Sequence, residues 1–62
     1  MHEKMFYTPE DVADMLELSV DTIRRYIREG LLTAVKLKGS YRIKREDFER
    51  FIEERKTVKP GR

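Results

Sequence analysis

The sequence predicts a small α+β domain, mostly α, built as two N-terminal helices, a β-hairpin and a closing C-terminal helix. Three observations predict it. Helix-starting residues at Thr8-Pro9 and at Ser19 each precede apolar residues at helical spacing. Short runs of alternating polarity, Val35-Lys36-Leu37 and Tyr41-Arg42-Ile43, flank Lys38-Gly39-Ser40. Phe48, Phe51 and Ile52 then form a last helical stripe. A chain of 62 residues holds one domain with one small core. The expected division is a flexible N-terminus over 1–6, the domain over 7–56 and a flexible tail over 57–62, because Pro60-Gly61 ends any helix and nothing apolar follows Val58.

The first helix starts at Thr8-Pro9-Glu10-Asp11: a hydroxyl cap, proline at the first helical position, then acids facing the positive end of the dipole. Tyr7 before the cap and Val12 inside the helix are placed as a hydrophobic staple. Val12, Ala13 and Leu16 share a face, with Asp14 and Glu17 turned away, and the helix stops near Glu17. Ser19 caps the second helix, with Leu18 and Ile23 as its staple pair, and Gly30 ends it in the left-handed conformation. At 100° per residue, Val20, Ile23 and Ile27 lie on one side with Tyr26 at its margin. Asp21, Arg24, Arg25 and Arg28 lie on the other. So short a gap between the helices forces a sharp turn and lays the second across the first, which is helix-turn-helix geometry.

In the hairpin, side-chain parity favours an odd, three-residue loop. That loop pairs Leu37 with Tyr41 and Val35 with Ile43 on one face and leaves Lys36 opposite Arg42 on the other. Two like charges directly across a hairpin are unfavourable unless an anion sits between them, and phosphate would serve. The last helix, about Arg45 to Lys56, has acids in its first turn and Arg55-Lys56 in its last, both matching the dipole. Its stripe of Phe48, Phe51 and Ile52 is expected in the core.

Charge is unevenly spread. Residues 1–17 carry Lys4 against five acids, a net of −4; residues 18–45 carry eight Lys/Arg against Asp21 and Glu29, a net of +6; residues 46–62 balance. The overall +2 thus hides a dipole whose positive pole is the second helix and the hairpin. Absence of Cys removes disulfides, thiolate zinc sites and cysteine nucleophiles. His2 stands alone beside a terminus, so no metal site and no cofactor is expected. No pair of carboxylates is backed by a nucleophile or a ligand set, and the expectation is no enzyme. With no apolar run near the roughly 20 residues of a membrane span and no signal-peptide pattern, the expected location is cytoplasmic. Asn, Gln, Cys and Trp are missing while charged residues make up 42% of the chain, which fits a thermophilic origin as well as chance in so short a sequence.

Tyr7-Thr8-Pro9-Glu10-Asp11-Val12-Ala13, then Ser19 to Gly30, then Val35-Lys36-Leu37 through Gly39 to Tyr41-Arg42-Ile43 together resemble the excisionase-like branch of the MerR superfamily, small winged helix-turn-helix DNA-binding domains. Lys44 and Ser40 depart from the pattern, where a proline and a bulky basic or aromatic residue are common. The long dimerisation helix and effector domain of complete MerR regulators have no counterpart, so sensing is not implied. The resemblance implies DNA binding, as a recombination accessory factor or a small regulator of transcription. It places the second helix in the major groove, presenting Asp21, Thr22, Arg24, Arg25 and Arg28 with Ser19 at its cap. The wing tip, Lys36, Lys38, Gly39, Ser40 and Arg42, follows the backbone or minor groove.

Arg suits that task through its planar fork, which pairs with guanine or phosphate. Without Asn or Gln the two-pronged reading of adenine is missing, so modest specificity biased toward G/C positions is expected. Implied partners are double-stranded DNA and, beyond it, a recombinase or RNA polymerase. Single copies of so small a footprint bind weakly, which favours a homodimer or cooperative filling of tandem sites. Plainer readings stand beside these. The Arg row of an isolated helix is a solvated face, Asp21 suits an i,i+4 partner for Arg25 better than a base reader, and Tyr26 and Tyr41 suit packing. A protein-interaction adaptor, or a DNA-targeting domain of a larger transposase or recombinase system, is the alternative function.

Overall fold

The chain runs β1 (Phe6–Tyr7), α1 (Pro9–Leu16), α2 (Val20–Arg28), β2 (Val35–Leu37), β3 (Ser40–Lys44) and α3 (Arg45–Arg55) in a computed structural model that describes residues 5–55. Residues 1–4 of the flexible N-terminus expected over 1–6, the tail expected over 57–62, His2 and the helix end at Lys56 lie outside the described residues. Three helices and a three-stranded antiparallel sheet ordered β1-β3-β2 make a small winged helix-turn-helix fold, mostly helical.

Local chemistry explains the helix ends. Thr8 and Asp11 form a reciprocal capping box: the Asp11 N–H donates to Thr8 Oγ1 and the Thr8 N–H to Asp11 Oδ2, both at 3.0 Å. Two otherwise orphaned donors are satisfied there. Helix α1 stops because Glu17 takes a left-handed conformation (φ 59°), its N–H and that of Leu18 returning to Asp14 and Ala13 carbonyls. At the end of α2 the same role falls to Gly30 (φ 81°), with Gly30 N–H donating to Ile27 O and Leu31 N–H to Tyr26 O. That is a Schellman closure. Glycine adopts it without strain, whereas Glu17 costs about 1 kcal/mol in the same region.

One core joins nearly every element. Val12 and Ala13 come from α1, Ile23 from α2, Leu32 from the following loop, Ile43 from β3 and Phe51 from α3. Tyr7 of β1 packs against this cluster and meets Phe48 edge-on, with ring centroids 5.4 Å apart. Tyr26 meets Phe51 at 5.7 Å. Strand β2 is the exception, since all three of its residues are exposed. It is held to β3 by backbone pairing and the turn, with no buried side chain of its own.

Four sequence expectations need correction. Phe6, assigned to the flexible N-terminus, pairs with Lys44 as the first residue of a strand, and the Arg45 N–H reaches Met5 O at 3.0 Å. Two residues carry too little pattern to signal a strand; β3 supplies the partner. The hairpin loop has two residues, so Leu37 pairs with Ser40, Lys36 with Tyr41 and Val35 with Arg42. Lys38 (φ 47°) and Gly39 (φ 83°) are both left-handed, the type I′ turn whose twist matches the strands. Parity sets Val35 and Leu37 on the face of the buried Ile43; they lie instead on the opposite face, 38% and 50% exposed, and a strand with no buried side chain leaves the register to the turn. Ile52 is 37% exposed because the buried stripe of α3 centres between Phe48 and Phe51, about 70° round the helix from it. Leu18 is also exposed rather than a buried staple for Ile23.

Candidate nucleic-acid interface

Ser19 and Thr22 set the start of α2. The Thr22 N–H donates to Ser19 Oγ at 3.1 Å, and the two hydroxyls share a further bond of 2.9 Å, so both groups are occupied by capping. Asp21, Arg24, Arg25 and Arg28 follow on the solvent side, opposite the buried Ile23.

The cations of that row are not equivalent. Arg24 Nη2 donates to Glu10 Oε2 of α1 at 3.2 Å, while its Nη1 lies 3.9 Å from Asp21 Oδ1. Arg25 reaches toward Glu29 (Nε to Oε2, 3.9 Å), with its guanidinium 5.7 Å from the Tyr26 ring centroid. The expected Asp21–Arg25 pair is therefore replaced: Asp21 faces Arg24, and Arg25 turns toward the C-terminal end of the helix. Arg28 has no acidic partner among the described residues. All these pairs are solvent-exposed and each is worth about 0–1 kcal/mol, so an incoming anion can displace them.

Hairpin cations divide between two faces. Lys36 sits on the side of Tyr41, its Nζ 5.9 Å from the ring centroid, and Arg42 lies on the side of Val35 and Ser40. Lys36 and Arg42 are thus not directly opposed, and their opposite faces cannot clasp one phosphate between them as the odd register would have. Arg42 Nη1 donates to Ser40 Oγ (3.1 Å) and to Tyr41 O (2.9 Å), and Ser40 Oγ donates to Leu37 O (3.2 Å). Lys38 stands at the tip, exposed. A Cβ built on Gly39 meets nothing within 4 Å, so turn conformation rather than crowding explains this glycine.

Helix and hairpin meet at one place. A crevice of about 120 Å³ lies where Pro9 and Glu10 of α1, Arg24 of α2 and residues 39–42 of the hairpin converge. It brings together Arg24, Gly39, Ser40 and Arg42 of the expected site. Ser19, Asp21, Thr22, Arg25 and Arg28 lie on α2 outside it, and Lys36 and Lys38 on the hairpin outside it. A larger groove of about 400 Å³ between β1 and α3 mixes Lys44 and Arg45 with Glu46 and Glu49, and no residue of α2 lines it. Glu10 is the residue that sequence reasoning missed. In the sequence it is a dipole-matching acid, and no sequence spacing reveals that it meets Arg24, fourteen residues on.

A family model described as a helix-turn-helix domain matches residues 6–56. The chain belongs to that helix-turn-helix family. No curated protein and no solved structure matches it. Membership accords with the capped α1–α2 pair and its tight connection, the architecture of a DNA-binding helix-turn-helix domain. Among the described residues of this helix-turn-helix protein, no helix is long and apolar enough to cross a membrane, and no group of His, Cys, Asp and Glu could hold a metal ion.

Proposed function

We propose that this helix-turn-helix protein binds duplex DNA with α2 in the major groove and the hairpin along the adjacent backbone or minor groove. One observation carries the reading: the crevice lined by Arg24 of α2 together with Arg42 of β3, beside an exposed Arg28 and a lysine-tipped hairpin. Arg25 and Arg28 are the proposed base readers. Lys36, Lys38 and Arg42 are the proposed backbone contacts, with Asp21, Thr22 and the Ser19 cap bordering the groove. The family match supports DNA binding, and the sequence resemblance narrows the role to an excisionase-like recombination accessory factor or a small MerR-like transcription regulator. Such a protein works by changing DNA path for a recombinase or polymerase, with copies filling neighbouring sites. It does so without chemistry of its own, among the nucleic acid of the cytoplasm.

A titration of labelled duplex with the wild-type chain and the Arg24→Ala/Arg28→Ala variant tests this. The expected result is salt-sensitive binding, falling by orders of magnitude between about 50 and 200 mM salt, and lost in the variant. Indifference of both proteins to DNA would favour an adaptor. A specific feature favours that second reading: Phe6, Val35 and Leu37 are exposed on the outer sheet face, the kind of apolar surface a protein partner covers.

A further inference from the structure

We propose that Glu10 limits DNA affinity: its carboxylate sits in the anion position of a crevice whose two guanidiniums, Arg24 and Arg42, are placed to take one backbone phosphate of a duplex. The inference rests on the DNA-binding reading above and deepens it. A volume of about 120 Å³ is the share of about four water molecules, room for one tetrahedral oxyanion. Arg42 is held ready on a strand. Both its hydrogen bonds use Nη1, to Ser40 Oγ and Tyr41 O, which orients the fork and leaves the Nε and Nη2 hydrogens for an acceptor.

Arg24 enters from α2 with one hydrogen bond, to Glu10 at 3.2 Å, and with Asp21 Oδ1 3.9 Å from its Nη1. The Glu10 contact links side chains that are 42% and 63% exposed, so it breaks cheaply. Phosphate brings several acceptor oxygens where the carboxylate uses one, and both guanidiniums can share them. The difficulty for the phosphate is Glu10 itself. Its carboxylate competes with the phosphate for the Arg24 fork, and that bond must break before both guanidiniums can share the ligand.

Replacing that charge without changing shape isolates the effect. For Glu10→Gln the expected result is a roughly fivefold gain in duplex affinity at about 50 mM salt, the upper end of what an exposed ion pair is worth and so of what its competition withholds from the phosphate. The gain should shrink toward 200 mM salt as screening grows. Because the carboxylate acts through Arg24, the gain should vanish in the Arg24→Ala background, as a double-mutant cycle reports. Asp14→Asn, a neutralisation on the same helix away from the crevice, should change affinity by less than about twofold.

Binding by the wild type with no gain in Glu10→Gln, or with a loss, overturns the proposal alone, since a loss makes Glu10 a positioning partner of Arg24. A gain that survives Arg24→Ala also overturns it, by showing a general charge effect. Absence of binding by every protein overturns the DNA reading and the proposal together.

Discussion

Helix α2 buries Ile23 completely in the core, while β2, the other arm of the proposed interface, buries none of its residues. Charge follows the same divide. Arg24 and Arg25 of α2 lie within 4 Å of carboxylates of their own chain, whereas Lys36, Lys38 and Arg42 of the hairpin have no acidic partner among the described residues. The helix is thus anchored and partly neutralised; the hairpin is loosely held and electrostatically open. An anchored helix suits recognition of fixed geometry. A projecting hairpin suits attraction to a phosphate backbone that varies from site to site.

The contrast breaks most sharply at the anchor. Ile23→Ala removes a side chain with no exposed surface and is expected to cost about 2–5 kcal/mol, enough to unfold much of so small a domain. Leu37→Ala, on the hairpin and half exposed, is expected to stay within about 0.5 kcal/mol. Thermal denaturation of both variants checks the pair, and equal losses would erase the distinction between the two arms.

Gly39→Ala comes next. A Cβ has room there, yet φ 83° is left-handed, so the expected cost is about 1–2 kcal/mol of conformational strain. Since β2 shares no buried residue with the core, the damage should remain local. Hydrogen exchange should quicken for amides of 35–42 while those of α2 keep their protection. Uniform loss across both arms would show that the hairpin is bound into the core after all.

Lys38→Asn is the smallest and works in two directions. Asparagine tolerates the left-handed conformation that Lys38 holds at φ 47°, so stability should rise by a few tenths of a kcal/mol. DNA affinity should fall, with one fewer cation and a salt dependence shallower by about 0.9 in log–log slope. A lysine kept in a strained turn position is then explained by its charge. Unchanged affinity would leave the strain without a function.

How much of this was legible in the sequence follows from range. Thr8, Ser19 and Gly30 mark helix ends because capping is settled within a few residues, and each sits where the pattern put it. Val12, Ala13, Ile23 and Phe51 were readable because helical period and burial agree. The hairpin register was not, because Val35 and Leu37 of β2 face solvent and the turn decides their pairing. Strand β1 was hidden for a related reason: Phe6–Tyr7 becomes a strand only beside residues 43–44. The cationic faces of α2 and the hairpin were visible as charge, but their junction at Glu10 depends on how α1 crosses α2 and meets β3.

The central claim is that α2 and the hairpin act as one surface for a duplex. Backbone-amide NMR of the labelled full chain, titrated with duplex DNA at low salt, tests it most directly. Concerted shifts are expected at residues 19–28 and 36–42, with α3 and Phe6 unmoved. Shifts confined to one arm, or gathered instead on Phe6 and Val35 of the outer sheet face, would contradict that claim.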